Sequence, residues 1–420
     1  MRILVLSNLF PPHVLGGYEI ACHAVAQALR DRGHEVLVLA GRAPFATPQD
    51  PDWLRRVFVL RAYGPIEAHT TELMDSKAYE TGTSIYANTA MLFDHLKSFN
   101  PDVVYAWHIW GIGGMALLDL AEQVGVPWLM HLMDAVPTYL LDGAKQGAAS
   151  LFSRHEVSLL ENAAAITMSE HVLAEIEQTT GVRFKMPPTV IPGWVDVARV
   201  RQKTEYCQGG RLRMVAAGSL SANKGIGIIV IACAQLVAAG HTNFHVDIFG
   251  FGAAEPWILL AAQHGVSEYL SFLGARSQVE ILNLLPAYDV FLFPTHSREP
   301  FGFAPIEAAA CGVVPIVTRD AGCAERLVDG IHALKIDRTS ASLAEAIVQL
   351  IIDPAGLALI GQRAARMVRS DLSFERCLDQ IETVLRDVSH PWDARSLQDE
   401  RLPALMFAKH MLGEYFTARP

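Results

Sequence analysis

The stretch SREPFGFAPIEAAACG, Ser297 to Gly312, sets two glutamates, Glu299 and Glu307, around an apolar run. A carboxylate accepts hydrogen bonds in a planar spread, which suits the vicinal hydroxyls of a sugar or a ribose. Burying one unpaired is costly, so a glutamate inside such a run needs a partner. DVFLFP just upstream reads as a strand ending at Pro294. PIEAAACG reads as a helix with Pro305 near its first turn, where a missing N–H costs nothing. THSREPFGFA is then a strand-to-helix loop, with free N–H groups and the positive end of a helix dipole. Gly302 lets the main chain approach a ligand closely, and the combination suits phosphate. Taken together the two carboxylates fit two sugars with a diphosphate between them. Taken singly, Glu299 fits a residue that complements the helix dipole, and Glu307 a solvated helix residue.

Other residues sit where such chemistry needs them. Lys224, in AAGSLSANKGIG, falls between a strand and a glycine-started helix and can neutralise a diphosphate; its bland reading is a solvated loop lysine. Gly16 and Gly17 occupy the first strand-to-helix loop, where N–H groups can meet a phosphate or an acceptor, or simply form an N-cap turn. His108 ends the strand VVYAWH, as a functional group or as a hydrogen-bonded strand-end histidine. FGFGAAE, with Gly250 and Gly252, half matches a dinucleotide fingerprint, but Glu255 fills the third glycine's slot. The triplet Asp50-Pro51-Asp52 mimics a metal-binding D-x-D but lies in a polar loop, and it is assigned to solvent. No metal site and no cofactor are expected.

The elements that must position these residues alternate from the start. ILVLS (Ile3 to Ser7) is followed by a helix with apolar residues at Ile20, Ala21, Ala24, Val25, Ala28 and Leu29, closed by Gly33. EVLVLA (Glu35 to Ala40) comes next, a βαβ rhythm that predicts an α/β fold with parallel sheets. Further strands are expected at Val57–Leu60, Val103–Ala106, Trp128–His131, Ala164–Met168 and Thr189–Ile191, several apolar on both faces. The polar stretch Val197–Arg213 reads as a linker, after which LRMVAAG, FHVDIFG, LSFLG, DVFLFP and VVPIVT supply a second parallel sheet, with a helix over Ile226–Ala239. Two doubly wound domains in series imply ligands at the carboxyl ends of their strands, facing a central cleft.

The whole chain agrees. Its 420 residues exceed what one core usually organises, and 51% hydrophobic with 19% charged residues is a globular composition. A formal charge of -10 without long basic runs argues against a nucleic-acid partner. Six scattered cysteines without CxxC spacing suggest neither zinc nor disulfides and fit a reducing, cytoplasmic setting. No uninterrupted apolar run reaches about 18 residues, so no transmembrane segment is expected, although peripheral membrane contact stays open. The expected division is 1–200, 201–385 and a helical tail, 386–420, packing back on the first domain through the amphipathic stretch Leu397 to Phe416.

Five segments in order resemble the retaining glycosyltransferases of GT-B architecture, glycosyltransferase family 4: PPHVLGGYEI, TVIPGWVD, AAGSLSANKGIG, LSFLGARSQVEILNLLPAYDVFLFP and SREPFGFAPIEAAACGVVPIV. The resemblance covers the chain to about Val384. It implies two Rossmann-like domains, the second holding a nucleotide-diphosphate sugar and the first an acceptor hydroxyl. Carried over, Glu307 binds the nucleotide ribose, with Gly250, Gly252 and Arg276 beside the nucleotide. Glu299, with Phe301 and Gly302, holds the donor sugar; Lys224, with Gly16 and Gly17, meets the diphosphate; and His108 is the first-domain histidine. Glu299, Lys224 and His108 form the catalytic set.

Two departures stand out. Ser219 replaces the arginine of the family's G-R-L, removing one positive charge. In PWLMHLMDA the usual histidine is Met133, followed by Asp134, while His131 lies two residues earlier, on the same strand face by alternation. His131, Met133 and Asp134 are therefore candidate sugar or acceptor contacts, and the donor's sixth carbon is in question. The implied reaction is metal-independent hexosyl transfer with retention to a saccharide, small molecule or lipid-linked acceptor. The alternatives are a catalytically silent nucleotide-sugar binder and a GT-B sugar-nucleotide epimerase. Acceptor contacts are expected in Leu9–Gly17 and the polar segment Gly64–Thr83.

Overall fold

The computed structural model describes residues 1–14, 16–42, 49–60, 82–138, 152–207 and 210–404. The chain divides into two compact units, one of Met1–Thr167, Val172–Ile191 and the chain from Leu378 on, the other of Met168–His171 and Pro192–Cys377.

The chain opens with β1 (Arg2–Ser7), α1 (Gly17–Asp31), β2 (Glu35–Gly41), β3 (Leu54–Phe58), α2 (Gly82–Phe99) and β4 (Val103–His108). It continues through α3 (Met115–Val124), β5 (Trp128–Leu132), α4 (Phe152–Glu161), β6 (Ala164–Thr167), α5 (Glu170–Thr180) and β7 (Thr189–Val190). These strands form one seven-stranded sheet in the order β3-β2-β1-β4-β5-β6-β7, and every pairing is parallel. Strands covered on both faces must be apolar throughout, and β5 is buried at every position. Helix α1 turns Ala21, Cys22, Val25 and Leu29 inward. Its end is a Schellman-type turn, Gly33 N–H to Arg30 O (2.8 Å) and His34 N–H to Leu29 O (3.1 Å).

The second unit contains β8 (Leu212–Ala217), α6 (Ile226–Ala238), β9 (Phe244–Phe249), α7 (Glu255–Gln263), β10 (Leu270–Phe272), α8 (Gln278–Leu284) and β11 (Val290–Phe293). Then follow α9 (Phe303–Ala310), β12 (Val314–Thr318), β13 (Leu334–Ile336), α10 (Ser340–Ile352), α11 (Pro354–Asp371) and α12 (Phe374–Val388). The six strands lie in the order β10-β9-β8-β11-β12-β13, again all parallel. In each sheet the first strand is central and the order reverses beside it, between β1 and β4 and between β8 and β11. Ligands of doubly wound sheets bind at the carboxyl ends of the strands at such a reversal.

The structure departs from the sequence reading in places. The third strand is Leu54–Phe58 rather than Val57–Leu60. Strand β13 was not expected, because three residues with Lys335 at the centre carry too little pattern. The stretch read as a linker is fastened down: Lys203 is buried, its ammonium donating to Asp289 Oδ1 at 2.7 Å and to the Tyr288 carbonyl. Asp289 also accepts the N–H groups of Cys207 (2.9 Å) and Arg213 (3.0 Å), so one carboxylate pins both ends of the strap beneath β11.

Beyond α12, Leu397 joins the first unit's core and the Trp392 indole N–H donates to Pro101 O (2.7 Å). The expected tail helix past residue 404 and nearly all of the expected acceptor segment Gly64–Thr83 lie outside the described residues. No single described helix is long and apolar enough to cross a membrane.

Candidate active site

The loops after β8, β9, β10 and β11 are tied to one another. Gly218 N–H donates to Phe249 O (3.0 Å), Leu220 N–H to Phe251 O (2.8 Å) and Gly250 N–H to Gly274 O (3.0 Å). Gly250 and Gly252 thus line the turn that abuts Ser219 and Leu220. The loop from β11 to α9 is joined to the β8 loop by His296 N–H to Asn223 O (2.9 Å). Gly225, at φ +74°, closes this approach: a Cβ there would lie 1.8 Å from the Pro294 carbonyl oxygen.

On this frame Lys224 and Glu299 form an ion pair, the ammonium donating to Glu299 Oε2 and sitting 5.7 Å from the centre of the Phe293 ring. Three successive carbonyls hold the Glu299 segment rigid. That of Glu299 accepts from Gly322 N–H (3.0 Å), that of Pro300 from Ser169 Oγ (2.9 Å) and that of Phe301 from Cys323 N–H (2.7 Å). Phe301 is buried, edge-on to Phe303. Gly302 caps α9 at φ +92°, with the Phe293 ring 2.8 Å from where a Cβ would stand. The loop therefore delivers Glu299 and the start of α9 to one edge of the sheet.

Glu307, five residues into α9, is only 7% exposed. Burial pushes its carboxyl above the ordinary range, and the Gln278 side-chain amide, which donates to Oε1, opposes that shift. The solvated reading of Glu307 is thereby removed. Ser219 is half-buried, its hydroxyl 3.1 Å from that of Ser221, so two hydroxyls stand in this loop beside Lys224. Arg276 is exposed in the loop from β10 to α8, its guanidinium donating to the neighbouring Ala275 carbonyl (3.0 Å).

The first unit arranges a different chemistry at the carboxyl ends of β1, β4 and β5. His108 closes β4 and packs edge-on against Tyr18 at 4.8 Å. Burial lowers its pKa to about 4, and its Nδ1 is a buried atom without a hydrogen-bond partner among the described residues. The Tyr18 hydroxyl accepts the N–H groups of Met133 (2.8 Å) and Asp134 (3.1 Å). Sequence reasoning did not single out Tyr18; the signal available was an aromatic residue directly after the glycine pair. Of that pair, Gly16 gives its N–H to the buried Glu19 (2.9 Å), so that group is already engaged within the turn.

Two expectations need correction here. Strand β5 ends at Leu132, so alternation does not govern Met133, which lies in the bend beyond. His131 is a core residue with no exposed surface, stacked on Trp107 at 4.0 Å and sharing a hydrogen bond with the Tyr105 hydroxyl at 2.6 Å. Burial pulls its pKa to about 3. Nor does Asp50 belong to solvent. It pairs with Arg56 at 3.0 Å, and that guanidinium donates to the Phe10 (3.0 Å) and Pro11 (2.8 Å) carbonyls, fixing the loop after β1. Among the described residues no three His, Cys, Asp or Glu side chains converge on a metal-sized site.

Comparison with known proteins matches the model Glycosyltransferase Family 4 to residues 15–199 and the model Glycosyl transferases group 1 to residues 203–367. The glycogen synthase of Mycobacterium tuberculosis is 29% identical over 435 aligned positions, which cover 99% of this chain and all of that one. A GDP-mannose-dependent phosphatidylinositol monomannoside mannosyltransferase of Corynebacterium glutamicum is 28% identical over 60% of this chain and 74% of its own. Among solved structures, Anabaena HepE in complex with UDP and glucose shares the fold at a TM-score of 0.65 and 20% identity, covering 92% of this chain and all of that one. The first match falls mainly on the seven-stranded unit and the second on the six-stranded one, and the chain is a glycosyltransferase of GT-B fold with a family 4 module followed by a group 1 module.

Proposed function

We propose that the protein is a retaining, metal-independent hexosyltransferase that moves a hexose from a nucleoside-diphosphate sugar to a saccharide hydroxyl. The observation that carries this reading is the pairing of Lys224 with Glu299 on the same sheet edge as the buried Glu307. In this assignment Glu307 takes the ribose diol and Glu299 the hydroxyls of the donor sugar. Lys224, the main-chain N–H groups around Gly302 and the amino end of α9 meet the diphosphate. Donors fixed where negative charge develops stabilise the transition state without reorganisation.

The bond between the anomeric carbon and the leaving phosphate oxygen breaks through an oxocarbenium-like state. That oxygen takes the proton of the acceptor hydroxyl as the new bond forms on the same face, so no side chain serves as general base. His108, held neutral by burial, and Asp134 are assigned to hydroxyl contacts of the sugars. A glycogen synthase aligned along its whole length supports a saccharide acceptor, and a neighbour of like fold holding UDP and glucose supports a nucleoside-diphosphate glucose. Ser219, where the family carries arginine, favours a second reading, a silent nucleotide-sugar binder.

The test is to incubate purified protein with UDP-glucose, ADP-glucose or GDP-mannose and maltooligosaccharides, with and without EDTA. Diphosphate release is followed, and the new linkage is read by NMR. Release with an α-linkage, unaffected by EDTA, is expected. Inversion or abolition by EDTA would refute the mechanism, and tight donor binding without turnover would decide for the silent binder.

A further inference from the structure

We propose that Gln278 is a positioning residue for donor recognition: its side-chain amide orients the Glu307 carboxylate and keeps it ionised so that the carboxylate can grip a ribose diol. The inference deepens the donor-site reading above and rests on it.

The geometry begins with α8. Ser277 caps this helix in a reciprocal box, its N–H donating to Glu280 Oε2 at 2.8 Å and its hydroxyl accepting from Glu280 N–H at 3.4 Å. That fixes the backbone of the first helical residue, Gln278. Its side chain is exposed, yet it leaves solvent to donate to Glu307 Oε1 on α9, a hydrogen bond spanning 29 positions in sequence. An exposed glutamine gains little by itself from surrendering its freedom to one contact, since ordering such a side chain opposes the bond it makes. The buried partner gains much more, because a carboxylate removed from water without a donor is driven to take up a proton.

The surroundings leave this task to the amide. Cys311, which caps the carboxyl end of α9, has its thiol pushed up to about 12 by burial and stays neutral. Arg369 of α11 donates to the Ala310 and Val200 carbonyls, and its charge and that of Arg201 act on Cys311. Glu280 of α8 is held in its capping box. Lys224 is paired with Glu299. Among the described residues, Gln278 is the side-chain donor to Glu307. Holding Oε1 limits the rotation of the carboxylate, which is what gripping a vicinal diol needs.

The sign of the pH effect follows. Glu307 already protonates above the ordinary glutamate range because it is buried, and the amide moderates that rise. Without the amide the carboxylate is lost at higher pH, and diol recognition is lost with it as pH falls.

The test uses the full chain with UDP and 2′,3′-dideoxy-UDP as probes, and the variants Gln278→Met, Gln278→Asn and Glu307→Gln, with melting curves to verify folding. The Glu307 carboxyl is titrated in the ligand-free protein by carbon-13 NMR, its signal assigned through Glu307→Gln. Wild type should prefer UDP over the dideoxy compound at least tenfold at pH 8. Gln278→Met should lose most of that preference, titrate Glu307 at higher pH and lose UDP affinity from a higher pH downward, with Gln278→Asn in between. A folded Gln278→Met protein that keeps the preference and an unshifted Glu307 titration overturns the inference alone. A wild type that binds UDP and its dideoxy analogue equally, or binds neither, overturns the donor-site reading and the inference with it.

Discussion

The two sheets share a strand order and a reversal point, yet their carboxyl edges handle charge in opposite ways. In the second unit the edge gathers an ion pair and a buried acid: Lys224 paired with Glu299, and Glu307 taking a hydrogen bond from the Gln278 amide. In the first, the corresponding edge is built mainly from aromatic and histidine side chains around Tyr18, with Asp134 beside them. Tyr18 holds the Met133 and Asp134 backbone, His108 packs on Tyr18, and His131 is sealed between Trp107 and Tyr105 with its pKa pulled to about 3. One fold built twice can therefore present an ion pair at one edge and an aromatic cluster at the other. The difference lies in loops, not in strands.

The largest effect should come from breaking the charged edge. Lys224→Ala or Glu299→Ala should each lower kcat by about a hundredfold or more, in line with the loss of one preorganised group at a developing charge. Because both side chains are partly exposed, at 34% and 17%, the melting temperature should shift little. Steady-state kinetics beside differential scanning calorimetry separates the two. A variant that melts early in proportion to its lost activity would make the pair structural and erase the contrast.

A charge pair with a different duty gives the converse. Lys203 and Asp289 are each 4% exposed, and they lie under the sheet's other end rather than at its active edge. Lys203→Met strands a buried carboxylate whose remaining donors are two backbone N–H groups, which should destabilise the second unit by about 3 kcal/mol. Urea midpoints should fall while kcat of the folded fraction holds. Burial already lowers the Lys203 pKa, its bond to Asp289 opposing that shift.

These two pairs also mark what the sequence could and could not say. The positions of Glu299 and Lys224 between a strand and a helix, and of Glu307 inside the helix that follows, were legible because strand ends, glycines and helix starts are marked locally. Lys203 was not, since its partner is 86 positions away and nothing local distinguishes a buried lysine from a solvated one. Tyr18 and Gln278 were missed for the same reason, each acting on a distant segment, 115 and 29 positions off. His131 was misassigned because alternation gives a residue's face but not what covers that face. Strand β13 escaped by being too short to carry a pattern. Sequence periodicity reports the burial of segments, whereas polar long-range contacts are decided by the fold.

The first unit's buried histidines have their own signature in pH. An unfolded chain protonates histidine near its ordinary value of about 6.5, while His131 resists to about 3. The unfolded state therefore binds more protons between those values, and stability falls as pH drops through that window, by about 1.4 kcal/mol per unit while one such group alone is titrating. His108, lowered to about 4, adds to the slope over the upper part of the window. His131→Gln should flatten the dependence of melting temperature on pH between about 6 and 4. A slope unchanged by the substitution would mean that burial does not hold His131 neutral.

The smallest effect should be a gain. The Ser219 and Ser221 hydroxyls lie 3.1 Å apart in the loop that carries Lys224, and Lys224 is itself partly neutralised by Glu299. On the proposed donor reading, a diphosphate in this loop would meet the Lys224 ammonium where the family sets an arginine as well. Ser219→Arg adds a planar, permanently charged fork suited to phosphate oxygens. Because Ser219 is only half-buried, salt screens part of that attraction. The donor KM should fall by a fewfold at low ionic strength, the gain should shrink as salt is raised, and kcat should change less than KM. Donor titrations at about 20 and 300 mM salt read this directly, the range spanning the change in screening length from beyond the loop's dimensions to within them. A KM that does not move would mean that the serines already satisfy the phosphate through hydrogen bonds, and the charged edge would then be complete without an arginine.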